Sequence, residues 1–328
     1  LVDKIIFSNK VAKGVMFNHN GVLKTIYASK EIICSAGSIN SPLILQRSGI
    51  GPAKLVTKYN INLIKDSPGV GENLQDHLEV YFQVKSKMPI SLYKHLNPVS
   101  KTLIGIRWLL FKSGLGATNH FETLGFVRSR ENVSYPDIQY HLLPVAINYD
   151  GSSAVKGHGF QLHTGPMRSK SRGWVRIKGG NPHEEPEIKF NYMSHPEDWS
   201  DFRKCIKITR AILKQPSFSK FCGKEIQPGE NKTSNYEIDQ FIKEKAESAY
   251  HPCGTMKMGS IHDPMSVVDP ECRVIGVENL RVVDSSIFPR ITNGNTNAPS
   301  IMVGEKASDM ILGKNPLPKE NLIPFQSK

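Results

Sequence analysis

The segment His251-Pro-Cys-Gly-Thr-Met-Lys-Met-Gly259 holds the residue type best suited to proton transfer. An imidazole exchanges a proton near neutral pH, and Gly254 and Gly259 let the backbone pack closely beside a ligand. A second segment, Asn293-Gly-Asn-Thr-Asn-Ala-Pro-Ser300, carries side-chain amides that can orient an oxygen. A helix starting near Pro299 would turn free N–H groups and a partial positive charge back on that loop. A developing negative charge would be stabilised there. The third candidate is Asp284, at the carboxyl end of a short buried strand, where ligands of α/β sheets gather. Each has a plainer alternative: a satisfied structural histidine, a polar turn capping a helix, and a capping aspartate.

The elements that must position these residues fall into three stretches. The first reads as a β-meander, with Asn20-Gly21 as a hairpin turn between Val15–Phe17 and Val22–Tyr27. A buried strand, Glu31–Ser35, ends at Ala36-Gly37 and leads to a helix carrying Leu43, Ile44 and Leu45. Ser38 or Ser41 would cap that helix, with Pro42 in its first turn. Between about Asp76 and Tyr250, alternating segments such as Val80–Val84, Ile138–Leu142 and Trp174–Ile177 predict an α+β module with an antiparallel sheet. Helices are expected over Lys101–Lys112 and Trp199–Lys214. Ser234 and Glu237 have capping-box spacing and open another. The last stretch holds the strand Leu280–Asp284 and a helix from about Pro299 to Leu312, with Val303, Ala307, Met310 and Ile311 on one stripe. A loose arm follows Gly313.

Composition narrows the function classes. The 328 residues suit two domains at about 150 residues each, and no apolar run reaches the roughly 20 residues of a membrane helix. The five cysteines include no CxxC pair, which argues against structural zinc. The net charge of +12 invites a nucleic-acid reading. Its densest run is Arg168, Lys170, Arg172, Arg176 and Lys178, which alternates with Gly173, Trp174 and Val175 as on a solvated hairpin face. No zinc-finger, RNP or homeodomain pattern accompanies it, so a nucleic-acid partner is not expected. Two sequons, at Asn132 and Asn231, are compatible with secretion.

Several blocks together resemble the glucose–methanol–choline (GMC) flavoprotein oxidoreductases. Gly37-Ser-Ile-Asn-Ser-Pro-Leu-Ile-Leu-Gln-Arg-Ser-Gly-Ile-Gly51 is similar to that family's second signature, and Pro68-Gly-Val-Gly-Glu-Asn-Leu-Gln-Asp-His77 to the segment that follows it. The segment His251–Gly259, the run Val282-Val-Asp-Ser-Ser-Ile-Phe-Pro289 and the run Asn295–Lys306 resemble its C-terminal blocks. Their wording is most similar to the insect glucose-dehydrogenase-like branch. The resemblance implies FAD as cofactor, a small alcohol or sugar as substrate, and oxygen or a quinone-like external acceptor for the electrons. It implies His251 as the base that takes the alcohol proton while hydride passes to flavin N5, and Asn295 as the partner of the substrate oxygen. Asp284 and Ser285 would approach the ribityl and pyrophosphate region, and Asn297, Ala298 and Pro299 would turn against the isoalloxazine. Asn73 and His77 would pack near the cofactor.

The resemblance also implies an opening strand and a G-x-G-x-x-G turn for the pyrophosphate. The nearest string here, Gly69-Val-Gly-Glu-Asn-Leu74, lies mid-chain and ends in leucine. The expected fold is therefore α/β plus α+β: an incomplete Rossmann-like FAD-binding domain with an inserted antiparallel-sheet substrate domain. Residues 1–80 and 249–313 would form the cofactor part, 81–248 the substrate part and 314–328 a tail. Tyr140, Asn119 and His120 are candidates for the pocket lining. The competing reading is a truncated, non-catalytic homologue acting as a binding module, and retention of both His251 and Asn295 favours the enzyme. An extracellular location follows from the branch resemblance and the sequons.

Overall fold

Asn20 (φ 52°) and Gly21 (φ 81°) both adopt the left-handed conformation, which a tight hairpin turn requires. They join β2 (Val11–His19) to β3 (Val22–Tyr27), and β1 (Val2–Ser8) completes the antiparallel meander. The computed structural model describes residues 1–121, 123–148, 154 and 156–321. Pro324, in the expected tail, lies outside them.

The short strand β4 (Ile32–Cys34) leads into α1 (Gly37–Arg47), as the alternation of apolar and small residues predicts. The cap differs from expectation. Neither Ser38 nor Ser41 occupies the N-cap position, which falls to Ala36 and lacks a side-chain bond. Instead Oδ2 of Asp284 accepts hydrogen bonds from the Gly37 N–H (2.9 Å) and the Ser41 hydroxyl (2.6 Å). Pro42 sits inside the helix rather than in its first turn. It has no N–H to offer the Ser38 carbonyl four residues back, and the Thr255 hydroxyl donates to that carbonyl at 2.6 Å. Replacing Asp284 with alanine strands three donors, the third being the Ser286 N–H, and is expected to cost about 1–3 kcal/mol of stability. Denaturant unfolding measures this, and an unchanged midpoint would remove the capping role.

Beyond α1, β5 (Ile50–Gly51), α2 (Ala53–Lys58), β6 (Lys65–Asp66) and β7 (Glu72–Leu74) carry the chain into the central sheet. Its members are β8 (Leu78–Ser86), β9 (Thr123–Val127), β10 (Ile138–Leu143), β11 (Gly159–Pro166), β14 (Cys222–Gln227) and β15 (Glu247–Ser248). They pair antiparallel in the order β14-β8-β11-β10-β9, with β15 also on β8. The period of two gives each strand two unlike faces. Val80, Phe82, Ile138 and Leu162 face α4 (Pro196–Leu213) and α6 (Asn235–Lys245), closing a core with Phe202, Ile206 and Phe241. Glu79, Tyr81, Gln139, His141, Gln161 and His163 share the opposite face, with His141 opposite His163 and His163 opposite Tyr81.

The helices start where their caps dictate. α3 (Pro98–Phe111) begins three residues before the expected Lys101, because the Asn97 side chain accepts from the Ser100 N–H and Pro98 takes the first position. Likewise α4 starts at Pro196 rather than Trp199, with His195 as its cap. The Ser234–Glu237 capping box forms as predicted. A smaller sheet of β7, β12 (Gly173–Arg176) and β13 (Glu187–Lys189) and the short α5 (Pro216–Ser219) fill the rest of this half.

The final stretch returns to the first. β16 (Leu280–Val282) pairs in parallel with β4, Leu280 opposite Ile32. Ile5, Leu45 and Val70 from the beginning pack in one core with Met256, Val268 and Val282 from the end. The helix α7 (Asn297–Ile311) buries only Ala307; of the stripe read from sequence, Val303 joins the core's edge. The basic run is not a simple solvated face. Arg168 donates to the Ile291 carbonyl, Arg172 to the carbonyls of Ser169 and Ser171, and Arg176 pairs with Glu72 while stacking on Trp174. The three arginines make internal contacts, while Lys170 and Lys178 are exposed as the hairpin reading expects.

Candidate active site

The chain leaves β15 through Tyr250, held in the left-handed region (φ 59°), and turns into His251. Asp76, 4% exposed, fixes this turn. Its Oδ1 accepts from the His251 backbone N–H (2.9 Å), and its Oδ2 accepts from the hydroxyls of Tyr192 and Ser248, both at 2.6 Å. Gly254 (φ 93°) then lies so close to Asn73 that a Cβ would meet the Asn73 carbonyl oxygen at 2.7 Å. The Asn73 side chain donates to the Gly254 carbonyl at 3.0 Å. A glycine is needed there on both counts.

The imidazole of His251 sits between two groups that set its proton. Its Nδ1 is 3.1 Å from Nδ1 of His77, and its Nε2 is 3.1 Å from Nδ2 of Asn295. His77 is fully buried, and its Nε2 lies 3.2 Å from the Met167 carbonyl and 3.1 Å from the Thr292 carbonyl. Carbonyls only accept, so Nε2 of His77 carries a hydrogen. Burial, with His251 nearby, pushes His77 down to about 4, so it is neutral near pH 7 and its Nδ1 is bare. That nitrogen accepts from Nδ1–H of His251, leaving Nε2 of His251 bare toward Asn295. Asn295 donates to it and accepts from the Gln139 amide at 2.7 Å. The order Gln139→Asn295→His251→His77→carbonyls is internally consistent and leaves His251 with one outward lone pair. Burial lowers the His251 pKa, while the charges of Asp76 and Glu79 partly offset it. The neutral, proton-accepting form is therefore the one favoured at neutral pH.

A small enclosed cavity adjoins this relay, lined by His77, Glu79, Gln139, His141, Met167 and His251. Sequence reading singled out His251 and Asn295, and the structure brings them into contact. It left His77 without a specific role and passed over Asp76, Glu79, Gln139 and His141. The signal was the alternation itself, which puts Glu79 and Gln139 out of phase with apolar neighbours. Tyr140, a candidate for the pocket lining, instead faces the core, where its hydroxyl accepts from Thr209 and donates to the Cys205 carbonyl. Cys253 is buried, and its thiol is pushed up to about 12 by that burial, so it is not a nucleophile.

The residues expected at the cofactor divide in two. Asp284 spends Oδ2 on α1 and Oδ1 on the Ser286 N–H (2.7 Å), so its carboxylate holds the protein together rather than facing a ligand. Ser285 shares a contact with the Ser38 hydroxyl (2.9 Å) and donates to the Pro252 carbonyl (3.2 Å). Asn297 and Ala298 are exposed at the start of α7, two residues from Asn295. Their backbone N–H groups have no hydrogen-bond partner among the described residues, and Pro299 follows without one. No carboxylate occurs from Ile291 to Ser300. A donor-rich helix start beside a neutral base fits a ring that gains negative charge on reduction.

Models of the GMC oxidoreductase family match residues 1–79 and 169–304, and the chain belongs to that family, whose cofactor is FAD. It is 61% identical over 322 residues to an oxygen-dependent choline dehydrogenase of Brucella canis, covering 98% of this chain and 59% of that protein. It is 55% identical over 322 residues to the protein of the same name from Sinorhizobium fredii, with the same coverage. The chain thus spans about three-fifths of the length of these curated relatives. These similarities correct the expected branch: the resemblance is to bacterial choline dehydrogenases rather than to insect glucose dehydrogenases. Among solved structures, pyridoxine 4-oxidase from Mesorbium loti superposes with a TM-score of 0.81 at 25% identity, covering 96% of this chain and 57% of that one. Formate oxidase superposes with a TM-score of 0.88 at 24% identity, covering 95% and 59%. They bear out the expected α/β plus α+β fold.

Proposed function

We propose that the protein, with FAD bound, oxidises a small primary alcohol that carries a cationic headgroup, choline being the substrate its relatives' names suggest. The observation that carries the reading is the ordered relay, which leaves a bare Nε2 on His251 beside the Asn295 amide. An alcohol oxygen inserted between the two would donate its hydrogen to His251 and accept one from Asn295. His251 would take the hydroxyl proton as the carbon–hydrogen bond breaks. FAD, when bound, supplies the two-electron acceptor for the hydrogen that leaves carbon. Asn297, Ala298 and Pro299 would lie against its ring. Electrons then pass to oxygen or to a quinone-like external acceptor.

The cationic headgroup is supported by a carboxylate in the cavity lining and by a second one next to it. Glu79 lines it with His251. Glu247 stands directly across from Glu79 on the neighbouring strand, an arrangement that like charges disfavour. One Glu247 oxygen is buried without a partner, and burial followed by Glu79 raises the Glu247 pKa. A cation beside Glu79 would relieve that repulsion.

Anaerobic addition of choline is expected to bleach the flavin absorbance of the loaded protein. An unaltered spectrum with choline and with simple alcohols would overturn the reading. Asn295→Ala should slow bleaching by about tenfold or more, the worth of one charge-assisted hydrogen bond. Stopped-flow absorbance measures it.

A further inference from the structure

We propose that Gln161 and His163 form a proton-ordered support that fixes Glu79 as an acceptor facing the substrate headgroup, and so set the preference for a cationic alcohol over its uncharged isostere. The inference rests on the reading above and extends it to residues that do not touch the substrate.

The order of hydrogens follows from one backbone group. The Ile147 N–H can only donate, and it donates to Oε1 of Gln161 at 3.0 Å. The Gln83 amide donates to the same oxygen at 2.9 Å. The other end of the Gln161 side chain is therefore its NH2, which lies 2.7 Å from Nε2 of His163. That nitrogen must be bare to accept. With Nε2 accepting, the ring hydrogen of His163 sits on Nδ1, which lies 2.9 Å from Oε1 of Glu79. Gln83, Gln161 and His163 are 2%, 0% and 8% exposed, so water does not scramble the sequence.

The ring is also held in place. His163 stacks on Tyr81 with centroids 4.0 Å apart and meets the edge of Phe121 at 5.2 Å. The remaining oxygen of Glu79, Oε2, has no hydrogen-bond partner among the described residues. Glu79 lines the cavity beside His251, and a carboxylate with one oxygen tied down there is a directed counter-charge. An untethered glutamate would swing toward solvent and lose contact with a headgroup that offers no hydrogen bond. A quaternary ammonium has only charge and shape to be recognised by, so the position of the counter-charge decides.

The test compares choline with 3,3-dimethylbutan-1-ol, which replaces the ammonium nitrogen with carbon at nearly equal volume. In the flavin-loaded protein, His163→Phe keeps the ring and its stacking but removes the N–H that Glu79 accepts. Its kcat/KM for choline is expected to fall about tenfold or more, while that for the uncharged alcohol stays within about twofold. Tetramethylammonium binding, followed by calorimetry, should weaken by a similar factor. His163→Asn places an N–H where Nδ1 lies and should restore most of the preference. If His163→Phe does not fold, His163→Gln substitutes for it, because its amide reaches Gln161 but not Glu79; it should lose the preference.

An equal fall for both alcohols would make His163 a structural residue and overturn the proposal. So would an undiminished preference in His163→Phe or His163→Gln. If the unmodified protein already treats the two alcohols alike, the cationic-substrate reading fails instead, and the two failures are distinct.

Discussion

Replacing His251 with alanine is expected to slow substrate reduction of the flavin by about 10²–10⁴-fold, the usual contribution of a positioned general base. Flavin content should not change. The side chain contacts His77 and Asn295, whereas the open N–H groups that fit the ring belong to the backbone of Asn297 and Ala298. The local chain is held by Asp76 through the residue 251 backbone N–H, a bond that alanine keeps. The loss should therefore lie in the rate of bleaching and not in the spectrum of the oxidised protein. A variant that bleaches at the original rate would remove His251 from the base role. Because its pKa is lowered by burial, the unmodified protein should keep its rate to more acidic pH than an exposed imidazole would allow. The rate falls only once Nε2 is protonated.

The second large effect concerns His77. Its imidazole titrates at about 4 in the folded protein and at about 6.5 unfolded. Between these values the unfolded chain binds a proton that the folded chain refuses, so stability rises with pH across that window. The stability present above pH 6.5 is lost as the pH falls toward 4, by about 3 kcal/mol from this group. His251, also lowered, adds to the loss in the same direction. Denaturant unfolding at neutral and acidic pH measures the slope, and His77→Phe should flatten it. The same variant deletes the acceptor for the His251 hydrogen, and reduction should slow by about tenfold. A slope unchanged in His77→Phe would show that the acid sensitivity arises elsewhere.

Much of the chemistry was legible because it lies in short, dense segments. His251 is followed closely by two glycines, and Asn295 sits at a helix start; both features are local. The hairpin at Asn20-Gly21 and the Ser234 capping box are local too, and they form as read. What the sequence concealed is set by pairs far apart along the chain. Asp284 caps α1 across 247 residues, so the nearby serines looked like the caps. Alternation marked Gln139 and Tyr140 as lying on opposite faces but could not say which face met the cavity. Tyr140 turned to the core because its neighbours in the strand, Ile138 and Leu142, pack there. The basic run forms the hairpin face as read at Lys170 and Lys178, which are exposed. The partners of Arg168 and Arg176, the Ile291 carbonyl and Glu72, come from other strands and loops and could not be seen in the alternation.

The parallel pairing of β4 with β16 joins Ile32 to Leu280, and its consequence reaches into how the protein comes into being. During synthesis the first strand emerges long before its partner exists, and everything that builds the central sheet must leave the ribosome in between. The early apolar surface around Ile5, Leu45 and Val70 gains the cover of Met256 and Val282 only when that last stretch arrives. Contacts of such long sequence separation form slowly, and exposed apolar surface in the interval invites aggregation. Folding of the cofactor side is therefore a late event, and chaperone supply should limit the yield of active protein more than the thermal stability of the finished molecule does.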